Sequence, residues 1–215
     1  MKLLATLCVL LLSLQSAPPP ATLPEAAAAQ LARSLDAATT PGSHVWRDPA
    51  PLNPDGTVNA YVEIPRGERR KWELDIAANR RVVDRVMPAS VGGYPVNYGF
   101  VPQTVSYDGD PFDALVLGPP IEGGTAVAGI AVGIMHMEDE KGLDSKIVLS
   151  PRGADGRPRY QLTDADKSRM GRYFAHYKEH EPGKFSKVTG WGSAEEGLAY
   201  VRQTHAFFTR ARTAR

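Results

Sequence analysis

The run Thr125-Ala126-Val127-Ala128-Gly129-Ile130-Ala131-Val132-Gly133-Ile134-Met135-His136-Met137 is long, apolar and rich in β-branched residues, and it reads as a strand. Shorter runs of the same texture surround it. Ala60–Ile64, Lys71–Ile76 and Val82–Met87 precede it, Ala114–Leu117 lies just before, and Lys146–Leu149 follows. Gly, Pro and Asp punctuate the joins, the pattern of a barrel of short strands. Two helices close the chain. Thr163 to Tyr177 carries Met170, Phe174 and Tyr177 on one face, with Thr163 as N-cap and Asp166 three residues on. The second opens at Ser193-Ala194-Glu195-Glu196, a capping-box pattern, and lines up Leu198, Val201 and Phe208. The expected class is α+β: a β-barrel with helices packed on it.

Composition agrees with a folded domain. The chain has 215 residues, 42% hydrophobic and 23% charged, which excludes disordered, collagen-like and disulfide-rich polypeptides. Lys plus Arg (25) nearly cancel Asp plus Glu (24), so no global basic field exists to hold nucleic acid. The single cysteine, Cys8, excludes a disulfide framework and a cysteine-built zinc site.

The N-terminus reads differently. Met1-Lys2, the apolar run Leu3–Leu14 and the small residues after it describe a secretory signal peptide. The run is shorter than the roughly 20 residues a bilayer span needs, which favours a removed leader, and no stable membrane insertion afterwards, over the alternative of an uncleaved membrane anchor. Residues 1–29 are assigned to the leader and its cleavage region, with candidate sites near Ala17 and within Ala26–Ala29. Residues 30–54, rich in Ala and Pro, read as a loosely attached extension, and 55–215 as the functional domain. The expected location is exported, periplasmic or secreted.

The densest chemical signal is Asp108-Gly109-Asp110-Pro111-Phe112-Asp113. Three carboxylates within six residues repel one another unless cations neutralise them. Gly109 and Pro111 turn the chain so that the side chains can converge, and hard oxygens suit Mg²⁺, Mn²⁺ or Ca²⁺. A solvated acidic turn is the plain alternative. An EF-hand loop fails, because Phe112, Asp113 and Pro119 stand where a ligand, glycine and glutamate are needed. A second acidic cluster, Glu138-Asp139-Glu140 with Asp144, joins the long strand to the next. Two such clusters at strand ends can hold several ions, the arrangement used for in-line attack on phosphorus.

These pieces, in this order, resemble the soluble family I inorganic pyrophosphatases. The likeness spans Val62 to Trp191 and centres on Asp108–Ala114. Around it stand Val62–Pro65, Lys71-Trp72-Glu73, Asp84-Arg85, Tyr94–Phe100, Asp139-Glu140 with Gly142, Asp144 and Lys146, His176-Tyr177-Lys178, Glu181–Lys184 and Gly190-Trp191. The resemblance implies a closed five-stranded OB-type barrel with flanking strands and two C-terminal helices. It implies hydrolysis of pyrophosphate to two phosphates with three or four Mg²⁺ ions, in a homo-oligomer (a hexamer, with a dimer as the alternative). By that likeness Asp108, Asp113 and Asp144 hold the ions that activate water, and Asp110 is the general base. Asp139, Glu63 and Glu73 help hold further metal, while Lys71, Arg85, Tyr98, Lys146, Tyr177 and Lys178 contact phosphate or tune its surroundings. Trp72 departs from the tyrosine expected between Lys71 and Glu73. Two other readings stand beside this one: a metal-dependent hydrolase of short polyphosphates or nucleotides, and a non-catalytic metal- or phosphate-binding module. No P-loop or dinucleotide fingerprint occurs, which disfavours nucleotide binding.

Overall fold

Five strands close on themselves. In the computed structural model, which describes residues 18–215, β1 (Val58–Ile64) pairs with β4 (Asn97–Phe100), and β4 with β5 (Asp113–Val116). β5 pairs in parallel with β8 (Lys146–Pro151), β8 with β6 (Ala126–Asp139), and β6 returns to β1. The result is the expected five-strand ring, with β7 (Gly142–Leu143) and β9 (Ser186–Gly192) added to β6. β2 (Arg70–Asp75) and β3 (Arg80–Val86) form a separate two-stranded sheet. The apolar runs are continuous because both strand faces are covered. Ala114, Val116, Ile147 and Leu149 join one core with Tyr200, Val201 and Phe208 of α3 (Ala194–Thr213). Their neighbours Leu115, Leu117 and Val148 join a second core with Met170 and Phe174 of α2 (Asp164–His176).

Both expected helices are present. Thr163 caps α2 with a full capping box, its hydroxyl accepting from the Asp166 N–H while Asp166 bonds the Thr163 backbone. At α3 only half of that box forms. Ser193 accepts from the Glu196 N–H at 3.2 Å, but the Glu196 carboxylate turns to His136 Nε2 at 3.0 Å. β4 and β9 were not expected as strands; each is short or interrupted by glycine, which hides the β pattern.

The N-terminal segment corrects the sequence reading. Residues 30–54 are not loosely attached: Leu31, Ala38 and Trp46 are buried in the first core, Trp46 meeting Phe208 edge-on at 5.2 Å. His44 is also buried, its Nε2 2.8 Å from the Ile76 carbonyl oxygen. A third helix, α1 (Glu25–Ala37), buries Ala27 and Leu31. Most of the proposed leader lies outside the described residues.

Candidate active site

Two irregularities aim the charged side chains. On β1, Val62 faces Gly99 and Ile64 faces Tyr98, so Glu63 is the extra residue of a bulge and leaves the ladder. A glycine is required opposite, since a Cβ on Gly99 would lie 1.8 Å from the Tyr61 carbonyl oxygen. On β3, Arg85 faces Lys71 and Val83 faces Trp72, leaving Asp84 as the extra residue. Two cations thus stand directly opposite each other, which is unfavourable without a bridge. Asp84 supplies it, 2.6 Å from Arg85 Nη1 and 3.4 Å from Lys71 Nζ.

The Asp108–Asp113 turn is tied down at both ends. Ser106 N–H donates to the Asp110 carbonyl at 2.7 Å, and Phe112 N–H to Thr104 Oγ1 at 2.9 Å, with the Phe112 ring fully buried. Gly109 sits at φ +93°, a backbone conformation that other residues adopt only with strain. Asp113 begins β5, Asp139 ends β6, and Asp144 precedes β8, so the ring delivers the acids from strand ends.

These elements enclose a cavity of about 290 Å³. Of the expected residues it is lined by Glu63, Lys71, Glu73, Arg85, Tyr98, Asp108, Asp110, Asp113, Asp139, Asp144, Tyr177 and Lys178. Lys146 is the exception. Expected as a phosphate contact, it is fully buried behind the carboxylates, its Nζ 2.5 Å from Asp113 and 2.7 Å from Asp144. Sequence reasoning assigned no role to Asp84, Glu140, Lys141 or Lys184, which also line the cavity. Glu181 was likewise missed. It holds Arg85 Nη2 at 2.8 Å and Lys184 at 2.7 Å, and its place in the Glu181–Lys184 motif was the available signal.

Nine carboxylates line the cavity against five cations, so an anion cannot enter favourably unless more positive charge accompanies it. Burial, then the neighbouring acids Asp144, Asp110 and Asp113, pushes Asp108 well above the usual carboxylate range. Glu63 is pushed the same way by burial and by Asp113. Asp144 is raised by burial too, against the pull of Lys146. Burial disfavours the Lys146 ammonium, but Asp113 and Asp144 outweigh it and keep it charged. The Tyr98 and Tyr177 phenols, raised by burial and then by these carboxylates, stay protonated and able to donate.

Among the described residues, no three of the acidic groups already converge on one point. Instead Lys146 stands between Asp113 and Asp144, and Lys178 between Asp139 (2.5 Å) and Glu140 (3.3 Å). The donor set is nevertheless all hard oxygen, and its excess negative charge fits divalent cations of the Mg²⁺ or Mn²⁺ kind.

A family model described as inorganic pyrophosphatase matches residues 60–209. The inorganic pyrophosphatase of Saccharolobus solfataricus is 38% identical over 154 residues, covering 68% of this chain and 88% of that protein. That of Sulfolobus acidocaldarius is 41% identical over 151 residues, covering 67% and 87%. Among solved structures, the inorganic pyrophosphatase of Thermus thermophilus superposes with a TM-score of 0.70 at 33% identity, covering 78% of this chain and 99% of its own. The Helicobacter pylori structure gives 0.68 at 30% identity, covering 76% and 99%.

Proposed function

The chain belongs to the inorganic pyrophosphatase family and hydrolyses pyrophosphate to two phosphates, and from that premise we propose how its own residues divide the work. The carrying observation is the surplus of carboxylates around a cavity built for a polyanion. Asp108, Asp113 and Asp144, with Asp139, Glu63 and Glu73 around them, would hold Mg²⁺. Bound there, such ions lower the pKa of water and neutralise the phosphoryl oxygens.

Asp110 accepts the proton of the attacking water. It is half-exposed at the cavity rim and, among the described residues, has an oxygen within 3.0 Å of one cation, Lys141. Lys71, Arg85 and Lys178 bind the phosphate oxygens, exchanging their carboxylate partners for substrate. Arg85 offers two parallel N–H groups, which suit a phosphate's geometry. The neutral Tyr98 and Tyr177 hydroxyls donate to the leaving phosphate, which takes up charge as the bridging P–O bond breaks. Lys146 acts from behind, fixing Asp113 and Asp144 rather than touching substrate.

The test is phosphate release from pyrophosphate with and without millimolar Mg²⁺, beside Asp110→Asn. The division of roles predicts Mg²⁺-dependent release that the variant loses. A variant as fast as the wild type would sink the assignment of Asp110.

Export and assembly belong to the same reading. The basic start and the Leu3–Leu14 run support secretion, and the burial of Ala27 supports cleavage ahead of α1, near Ala17, rather than within Ala26–Ala29. N-terminal sequencing of the cell-fractionated protein decides both points; an intact Met1 in the cytoplasm would refute them. The family resemblance supports a homo-oligomer, a hexamer first, which light scattering of the purified chain checks.

A further inference from the structure

Helix α1 lies outside residues 60–209, the part that matches the family, yet it reaches the catalytic turn. Gln30 Nε2 donates to Asp110 Oδ1 at 2.5 Å, across 80 residues of sequence. The other oxygen, Oδ2, accepts from Lys141 Nζ at 3.0 Å. Oδ1 thus faces α1, while Oδ2 faces Lys141, which lines the cavity as Gln30 does not. The fit between helix and turn is close. A Cβ on Gly109 would come within 3.0 Å of the Gln30 side chain.

α1 is held where it is. Ala27 and Leu31, flanking Gln30 by one turn and one residue, are each 2% exposed. The Tyr107 hydroxyl, next to the acidic turn, donates to the Pro20 carbonyl at 2.7 Å. At the other end of α1, the Arg215 guanidinium binds Asp36 and the Ala32 carbonyl. The amide of Gln30 is therefore presented by a packed helix, not by a free side chain on a mobile strand of chain.

We propose that Gln30 is a positioning residue for the hydrolysis: it fixes the rotation of the Asp110 carboxyl so that Oδ2 faces the attacking water. The torsion that turns a carboxyl is soft, with broad minima, so an unheld Asp110 would present either oxygen at many angles. The inference rests on the assignment of Asp110 as base. It adds that a segment beyond the family-matched domain completes the site in this chain.

The experiment measures kcat and KM of the full chain as Gln30→Ala, Asp110→Asn and the double variant, with the unfolding midpoint of each. Misplacement of a reacting group by about 1 Å costs on the order of 10²-fold; a rotation should cost less, and Gln30→Ala is expected to lower kcat about tenfold with KM held within about twofold. On the Asp110→Asn background the same substitution should leave the slow residual release, followed over long incubation at high enzyme concentration, unchanged. In the metal-free protein, one Gln30 side-chain amide proton should resonate downfield and move when Asp110 is replaced by alanine. If Gln30→Ala keeps the wild-type kcat while Asp110→Asn is inactive, this inference fails and the assignment of the base stands. An equal loss on both backgrounds makes Gln30 merely structural and also overturns it. An Asp110→Asn enzyme of wild-type speed removes the base itself, and the inference with it.

Discussion

Asp113, Asp144 and Lys146 belong to the five-strand ring and are covered on nearly every side, whereas Lys71, Glu73, Asp84 and Arg85 stand on the separate β2–β3 sheet. The Lys146 side chain is 0% exposed and that of Asp144 8%, against 50% for Glu73 and 33% for Asp84. The sheet's outer residues Val83 and Val86 face solvent. One wall of the cavity is thus densely packed and already burdened with charge; the other sets the half-exposed carboxylates Glu73 and Asp84 around two more covered cations, Lys71 and Arg85. Ligands for a metal must keep their places, which a packed ring ensures. Groups that close on an entering anion must let go of their own partners first, which a two-stranded sheet at the edge allows.

The largest expected difference between the walls is catalytic. Replacing Asp113 by asparagine should lower kcat/KM by about 10³-fold, some 4 kcal/mol, if it holds an ion that stabilises the transition state. Glu73→Gln, on the adaptable wall, should lose only about tenfold, roughly 1.4 kcal/mol. Steady-state assays at saturating Mg²⁺ compare them, and equal losses would erase the distinction.

Stability should separate the walls next. Removing one partner of a buried ion pair leaves uncompensated charge, so metal-free Lys146→Met should lose about 3–5 kcal/mol in denaturant unfolding. Lys71→Met, whose partners are half-exposed, should lose about 1 kcal/mol or less. Millimolar Mg²⁺ should restore much of the first loss, because an ion binding only the folded chain stabilises it and replaces the missing charge. A Lys146 variant as stable as the wild type without metal would break the picture of a charge-loaded ring.

Arg85→Lys tests the clamp itself. The ammonium keeps the charge but not the two parallel donors, so KM should rise about tenfold while the unfolding midpoint stays put. An unchanged KM would mean that Arg85 serves only to hold Asp84 and Glu181.

Four of the ring's five strands and the acid turn were legible in sequence, because apolar β-branched runs and a turn dense in Asp leave local marks; the four-residue β4 left none. The depth of Lys146 was not. A lysine at the head of Lys146-Ile147-Val148-Leu149 reads as a strand end open to solvent, and only tertiary covering of both strand faces buries it. The N-terminal segment was misread for a different reason. Its buried anchors, Leu31, Ala38, His44 and Trp46, with Ala27 just ahead of them, are too unevenly spaced to form a periodic stripe. Gln30 carries no sequence signal at all, since its partner lies 80 residues away. The bulges that aim Glu63 and Asp84 were equally hidden, because register depends on the partner strand.

Glu63 is where the two walls meet, and it sets the smallest effect. Its Oε1 accepts from the Leu74 N–H of β2 at 2.7 Å, and its carbonyl accepts from Arg81 of β3. Arg81 in turn lies 4.7 Å over the ring of Trp72, which stands where the sequence reading expected a tyrosine. The larger indole face suits that guanidinium better than a phenol would, so Trp72→Tyr should cost about 0.5–1 kcal/mol of stability. Because Trp72 does not line the cavity, kcat should stay within about twofold of the wild type; a rate change of that order reflects less than about 0.5 kcal/mol. A large fall in kcat with unchanged stability would show that the clamp is tuned through Arg81 and the Glu63 backbone, and that the two walls move as one.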